Sequence, residues 1–464
     1  MASRSLDDSG LSERATLGNL VILNARIAPN EVNLANDQLW NIECLQGRVS
    51  SISPVSPDSQ GLMDTTRPSG REIDAHGSII LPSDFSEAMS ITGKAKASFP
   101  LDKDDLMRRG RKLIRDSVDC GVTSMRAHVE VDSIVGFACL DAALQLKDEF
   151  LPACHVQIAV FAQEGFFNRA EATEPGDNYQ LLLQAIKREG VDVVGSAPYV
   201  EPSNEQAKKN IALVLEAARQ NDLHVDFHLD YNLNPKSDPL IYDVISLAKC
   251  DWGEARSPKR GIAIGHATRL AILSPEEWRD LINSIGDLPI TFVALPNSDM
   301  YMQGREATDM PLGPPRSTLR VPYLAKQYGL EIAMSVNNVE NAFTPQGSVD
   351  PLSLCTFGVA IFQSATNKDV RTLLKSVTVT SKLAIGEENS PSDLSPQIGQ
   401  PADFVILHGT STLSQAVFNP SYDRTTIKGG IVVARRVTMK LIGPLSYQER
   451  TYFILDVTTS AIHF

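Results

Sequence analysis

The stretch Ser78-Ile79-Ile80-Leu81-Pro82-Ser83-Asp84-Phe85-Ser86-Glu87-Ala88-Met89-Ser90-Ile91 separates two textures of sequence. An apolar lead runs through a Pro turn into a short segment ending at Ser90. Residues two apart on a strand share a face, so Ala88 and Ser90 would point the same way. If Ile79–Ser90 is the first strand of a closed barrel, that direction is inward.

Before this stretch the chain reads as short β. Leu20-Val21-Ile22-Leu23, Leu39 to Cys44 and Gly47 to Ile52 are apolar or alternating runs separated by Ser/Pro/Asp/Gly turns. After it, strands alternate with helical stretches. Gly121–Val129, Ala153–Phe161, Val191–Ser196, Leu223–His228, Ile262–His266, Ile290–Leu295 and Glu331–Val336 all read as strands. With Ile79–Ser90 they make eight βα units over roughly 250 residues, the signature of a closed parallel barrel. Beyond the helices at about 350–386, Pro401–Leu407 and Thr426–Ala434 return to β.

The fold class expected is therefore α/β: a (β/α)8 TIM barrel with a small β-sandwich built from both chain termini. The boundaries expected are a polar, disordered segment at 1–17, the N-terminal part of the sandwich at 18–80 and the barrel at 81–390. The C-terminal part of the sandwich is expected at 391–436, and a tail of unassigned role at 437–464.

Composition narrows the partners. A hydrophobic content of 42% with 21% charged residues is ordinary for a globular protein. A net charge of -13 argues against a nucleic-acid backbone or an anionic membrane as partner. No run approaches the ~18 apolar residues of a spanning helix, and the polar N-terminus has no secretory apolar core. The six cysteines are scattered without a C-x-x-C pair and read as reduced thiols. These features point to a cytoplasmic protein with a small-molecule partner and leave homo-oligomerisation open. Phosphate-loop, nucleophile-elbow and H-E-x-x-H motifs are absent.

Several phrases together resemble the amidohydrolase superfamily, in its cytosine deaminase-like branch. They include Arg71 to Pro82, Arg126-Ala127-His128-Val129-Glu130, Phe161-Ala162-Gln163-Glu164-Gly165 and Gly265-His266-Ala267. Leu295-Pro296-Asn297 with Gln303-Gly304-Arg305, Asn341 to Gly347 and Gly399 to Asp403 extend the match over about 18–435. The resemblance implies hydrolysis of ring C–N bonds by a metal-bound water. It also implies ligands from a strand-one His-x-His, a strand-five His and a strand-eight Asp, with a Glu proton shuttle after the strand-five His.

Carried over residue by residue, the pattern is incomplete. Ala88 and Ser90 stand at the strand-one pair, Tyr231 at the shuttle and Asn337 at the ligand Asp; only His228 remains. A neutral amide supplies neither the negative charge nor the base, and a catalytic zinc needs about three protein ligands. The sequence thus favours no metal, with a single Zn or Fe ion on a rebuilt His228, His266 and His128 set as the alternative.

The catalytic candidates are His228, His266, Asp230 and Tyr231, with Asp230 orienting His228 as a base and Tyr231 as an acid. The substrate-binding candidates are Gln163, His128, Asn337 and Asn338, the first through its resemblance to the family's ring-binding glutamine. The competing reading of each is structural: packing histidines, and a loop carboxylate at Asp230. His224 shares the face of His228 but lies lower on the strand. Three functions stay open: a metal-independent acid–base enzyme (hydrolase, isomerase or cyclase) on a cyclic or N-heterocyclic metabolite, a metal-dependent C–N hydrolase with unusual ligands, and an inactive binding scaffold. The metal-independent enzyme reading is favoured.

Overall fold

The computed structural model describes residues 20–27, 40–45, 48–55, 71–74, 79–80, 96–251, 261–304, 313–341, 344–387 and 390–438. The chain divides into two compact units, one ending at Glu87 and one beginning at Ala88. The first unit holds a five-stranded sheet of β1 (Leu20–Ile27), β2 (Trp40–Leu45), β3 (Arg48–Pro54), β4 (Arg71–Asp74) and β5 (Ile79–Ile80). Its order is β3-β2-β1-β4, with β5 also on β1. Ile79 and Ile80 pair in parallel with Arg26 and Ile27, so they belong to this sheet and do not open a barrel strand. Ala88 and Ser90 lie outside the described residues.

The second unit carries the seven strands expected between Gly121 and Val336. They are β6 (Ser124–Glu130), β7 (His155–Ala162), β8 (Val191–Ser196), β9 (His224–Leu229), β10 (Ile262–His266), β11 (Ile290–Ala294) and β12 (Ala333–Met334). They form one sheet in chain order, every pair parallel. Each parallel step needs a crossover, and helices supply it, among them Ala138–Phe150, Asn204–Asn221 and Pro275–Ile285. The last starts on a Ser274/Glu277 capping box with Pro275 in its first turn and buries Trp278, Leu281 and Ile285 on one stripe.

Strand alternation splits the sheet chemically. Val156, Ile158 and Val160 of β7, Val225, Phe227 and Leu229 of β9, and Ile262 and Ile264 of β10 join the apolar core shared with the helices. The opposite face carries Arg126 and His128 of β6, Gln157 of β7, and His224, Asp226 and His228 of β9. The inner face is thus polar along much of its length.

The C-terminal strands β13 (Phe404–Leu407), β14 (Arg424–Lys428) and β15 (Ile431–Arg436) form an antiparallel sheet of their own. Among the described residues the strands of the two termini fall in two sheets, one in each unit. The three-stranded sheet is tied into its own unit. The buried Arg424 guanidinium donates to both carboxylate oxygens of Asp350 (2.7 and 2.6 Å) and to the Cys120 carbonyl (2.9 Å), and the Thr426 hydroxyl donates to the Val118 carbonyl (2.6 Å). Asp350 also accepts from Leu352 N–H at the start of helix Pro351–Phe362.

Two predictions follow from these ties. Asp350→Ala leaves a buried guanidinium unpaired and removes a helix cap, and is expected to cost about 3–5 kcal/mol, read as a lower urea midpoint. The second concerns His155, which lies 2.8 Å from Glu387. The Glu387 hydrogen bond raises the His155 pKa above 6.5 despite partial burial. Burial works to raise Glu387, but the bond to His155 outweighs it and holds that carboxyl below 4.5. The histidine's contribution is complete below about pH 6.5 and lost as pH rises through its raised value. The glutamate's is present above about pH 4.5 and lost on acidification. The stability deficit of His155→Gln should therefore be largest near pH 5.5 and shrink by about pH 9 in paired denaturation curves.

Candidate active site

Polar side chains gather at the C-terminal ends of the parallel strands, the end where such sheets carry their chemistry. His228 lies at the centre. Its ring centroid is 5.1 Å from that of His128, 4.9 Å from His266 and 4.6 Å from Phe161. Burial, and then the neighbouring His266 and His128 rings, push its pKa well below 6.5, so the ring is neutral. Parallel register puts Gly265 beside His228. A Cβ on Gly265 would come 2.8 Å from the His228 Cδ2, so a glycine is needed there for the ring to keep its position.

On one side of His228 sits a buried ionic network. Arg126 donates to Asp226 Oδ2 at 2.7 Å, to Gln157 Oε1 at 3.3 Å and to His224 Nδ1 at 3.2 Å. His128 Nε2 lies 3.3 Å from the same Asp226 oxygen. Burial opposes the charge on Asp226, but its contacts with His128 and Arg126 outweigh it and hold the carboxyl far below its usual range. Burial and the Arg126 charge lower the His224 pKa to about 3, making that ring a neutral acceptor.

On the other side stands a second histidine–carboxylate pair. His266 Nδ1 lies 2.7 Å from Asp299 Oδ1, and both side chains are buried. Asp299 Oδ2 accepts from the Thr318 hydroxyl at 2.6 Å and from Leu295 N–H at 3.3 Å. With Asp299 as acceptor, His266 carries its proton on Nδ1 and presents Nε2 as an acceptor. Tyr231 stacks on His266 with centroids 3.9 Å apart. Tyr199 packs edge-on to Tyr231 and hydrogen-bonds Gln163.

Backbone geometry explains who joins this cluster. By strand parity His266 would follow Ile264 toward the helices, and Asp230 would follow His228 inward. Both residues instead have positive φ, 65° and 51°, a conformation that costs a non-glycine residue of order 1–3 kcal/mol and gathers at functional sites. Alternation ends at these positions. His266 reaches His228, whereas the Asp230 carboxylate accepts from Leu240 N–H (2.7 Å) and Ile241 N–H (3.2 Å) at the start of helix Ile241–Asp251. Burial raises the Asp230 pKa to about 6 against those two bonds.

The structure therefore brings His228, His266, Tyr231 and His128 together, and gives Asp230 to a helix start. The carboxylate partner expected at Asp230 is supplied by Asp299 to a different histidine. Gln163 is one contact away through Tyr199. Asn337 lines the same cavity as His128 and His228 and donates to Ser298 Oγ at 2.9 Å; Asn338 follows it, half-buried. Asp226 and Arg126 were legible by parity, two residues before His228 and His128. Asp299, on the helix Pro296–Met302, carries no such signal.

The expectation of no metal is not supported. His128, Asp226 and His228 offer ligand atoms all within 4.8 Å of one another. Two imidazoles and a carboxylate are a donor set that zinc or iron accepts. His266, with Nδ1 engaged by Asp299, stands outside that group.

The seven-stranded parallel sheet thus carries a polar inner face with a histidine cluster at its C-terminal end. No family model matches the chain. Its relatives include N-isopropylammelide isopropyl amidohydrolase of Pseudomonas sp. (strain ADP), 22% identical over 392 residues, covering 78% of this chain and 88% of the relative. Pterin deaminase of Rhizobium rhizogenes is 24% identical over 260 residues, 56% of this chain and 55% of the relative. Among solved structures, 5-methylcytosine deaminase from Klebsiella pneumoniae superposes with a TM-score of 0.66 at 22% identity, covering 92% of this chain and all of that one. N-isopropylammelide isopropylaminohydrolase from Burkholderia multivorans gives 0.57 at 19% identity, covering 90% and 99%. The chain thus shares its fold with these solved structures and is similar in sequence to the amidohydrolase and the pterin deaminase.

Gly265→Ala tests the packing beneath the central histidine. The added methyl should displace His228 and cost about 1–3 kcal/mol, measured by thermal unfolding, with the His228 ring moved in a crystal structure of the variant.

Proposed function

We propose that this protein is a hydrolase that releases an amine or ammonia from a small N-heterocycle. The observation that carries this reading is the convergence of His128, His228 and His266 at the strand ends, with His266 fixed by Asp299. The relatives that act on ammelide, pterin and cytosine rings support the substrate class.

The residues divide the work by chemistry. Phe161, Tyr199 and Tyr231 offer flat apolar walls to a planar ring. Gln163, steadied by Tyr199, offers an amide that pairs with adjacent donor and acceptor edges of such a ring. Asn337 and Asn338 supply further neutral hydrogen-bonding groups at the cavity. His266 Nε2 accepts the proton of the attacking water, and Asp299 stabilises the imidazolium that results. Tyr231, stacked on His266, donates toward the leaving nitrogen. Held by His128, Asp226 and His228, a zinc or iron ion would supply Lewis acidity and a lowered water pKa. The proton transfers themselves are assigned to side chains.

The test is amine release from 5-methylcytosine, N-isopropylammelide and pterin by purified protein, with His266→Gln beside it. The expected result is turnover of at least one ring, reduced about 10²–10⁴-fold in kcat by the substitution. Absence of turnover across the panel, or an unchanged rate in His266→Gln, refutes the reading.

A further inference from the structure

We infer that Glu201 and Lys96 are positioning residues for recognition of the ring. They anchor the segment 163–167 from two sides and so fix where the Gln163 amide meets a substrate. This rests on the role given to Gln163 in the proposed function.

Glu201 is the first anchor. Its buried carboxylate accepts from Phe166 N–H at 2.7 Å, from Phe167 N–H at 3.1 Å and from the Asn210 amide at 2.7 Å. Asn210 is fixed in turn, because its Oδ1 accepts from the buried Ser196 hydroxyl at the end of β8 (2.6 Å). A carboxylate stays in the interior only where its oxygens are matched, so these donors hold it in one place. Gly165 permits the close approach: a Cβ there would come 2.9 Å from Glu201 Oε2. Glu201 directly follows the 3-10 turn Pro198–Val200, which carries Tyr199, and Tyr199 hydrogen-bonds Gln163. One short segment therefore grips the loop after β7 twice, at the Gln163 side chain through Tyr199 and at the backbone through Glu201.

Lys96 is the second anchor. Its buried ammonium donates to Glu164 at 2.7 Å and lies 2.6 Å from both Glu130 and Asp132. Burial works against its charge, but the bonds to Asp132, Glu130 and Glu164 outweigh it and raise the pKa, so the cation persists. Glu130 ends β6, two residues past His128, and Asp132 accepts from Ile134 N–H (2.7 Å) and Val135 N–H (2.8 Å). Lys96 thus ties Glu164, the neighbour of Gln163, to the strand that carries His128. An amide reads the donor–acceptor order of a ring only from a fixed position, and a misplacement of about 1 Å can cost about 10²-fold.

The experiment combines steady-state kinetics and calorimetric binding of 5-methylcytosine, N-isopropylammelide and pterin to the full chain with hydrogen exchange of the peptide 161–168. Glu201→Gln keeps the side-chain shape and removes its charge, Lys96→Met removes the ammonium, and Lys96→Arg retains a cation. In the first two, KM and the dissociation constant should rise about tenfold or more while kcat stays within about threefold. The peptide should exchange faster in both, with the β9 peptide 224–229 unchanged. Lys96→Arg should recover most of the affinity. Should Lys96→Met fail to fold, Glu201→Gln carries the test alone. Unchanged KM and dissociation constant in folded Glu201→Gln, or a loss confined to kcat, overturns the inference. Ring binding without turnover, weakened in the variants, sinks the proposed hydrolase and spares the anchors. Turnover with unchanged KM in the variants does the reverse, and a protein that binds none of the rings refutes both.

Discussion

The buried ion pair between Arg126 and Asp226 is the constraint around which the inner face of the sheet is arranged. Taking both charges out of water costs several kcal/mol per ion, and the cost is offset only where geometry is good and the remaining donors find partners. Here the guanidinium reaches Gln157 and the neutral His224 as well as the carboxylate. The carboxylate in turn meets His128. Removing Arg126 or Asp226 leaves a buried charge unmatched, so the pair fixes the side-chain positions below the histidine cluster. A barrel interior is usually filled by layers of branched apolar residues. The inner face of this sheet gives up part of that burial, and the strands must be held from outside. The unbroken apolar set on the helix-facing side, Val156 to Val160, Val225 to Leu229, Ile262 and Ile264, does so.

The same division explains why small residues recur on the inner face. Gly195 and Gly265 lie where a methyl would collide with the Phe161 ring or with His228. A polar cluster of large planar rings can pack inside a curled sheet only if neighbouring strands contribute little volume. Local backbone weakness at glycine is tolerated because each of these strands is hydrogen-bonded on both sides.

Much of this was legible in the sequence, and the part that was not has a physical cause. The parallel strands follow from apolar runs alternating with amphipathic helices, and all seven between Gly121 and Val336 fall where those runs predict. The cluster of His128, His228 and His266 follows from strand ends in a βα array. What failed was the assumption that alternation persists past the last strand residue. At Asp230 and His266 the backbone enters the left-handed region, which exchanges their directions: the carboxylate expected in the site goes to a helix start, and the histidine stays. Asp299 was invisible because nothing local marks it; only the fold brings it to a histidine 33 residues earlier. At the termini β1 to β3 and β13 fall on the expected runs, whereas β4 was not among them and Thr426–Ala434 is a hairpin of β14 and β15; composition does not specify which strands share a sheet.

The two histidine–carboxylate pairs flanking His228 differ in a way that bears on chemistry. Asp299 is enclosed, accepts from a hydroxyl and a backbone N–H, and faces one imidazole, that of His266, whose tautomer it sets. Asp226 is shared between Arg126 and His128, so its charge is already partly neutralised and its hold on His128 is looser, 3.3 Å against 2.7 Å. A looser, partly exposed imidazole beside a charged carboxylate suits a ligand that must adjust around an ion or substrate. A buried imidazole locked at 2.7 Å suits a group that takes and returns one proton from a fixed position. The asymmetry between the pairs, set by Arg126 on one side and Thr318 on the other, makes the two halves of one repeated unit chemically distinct.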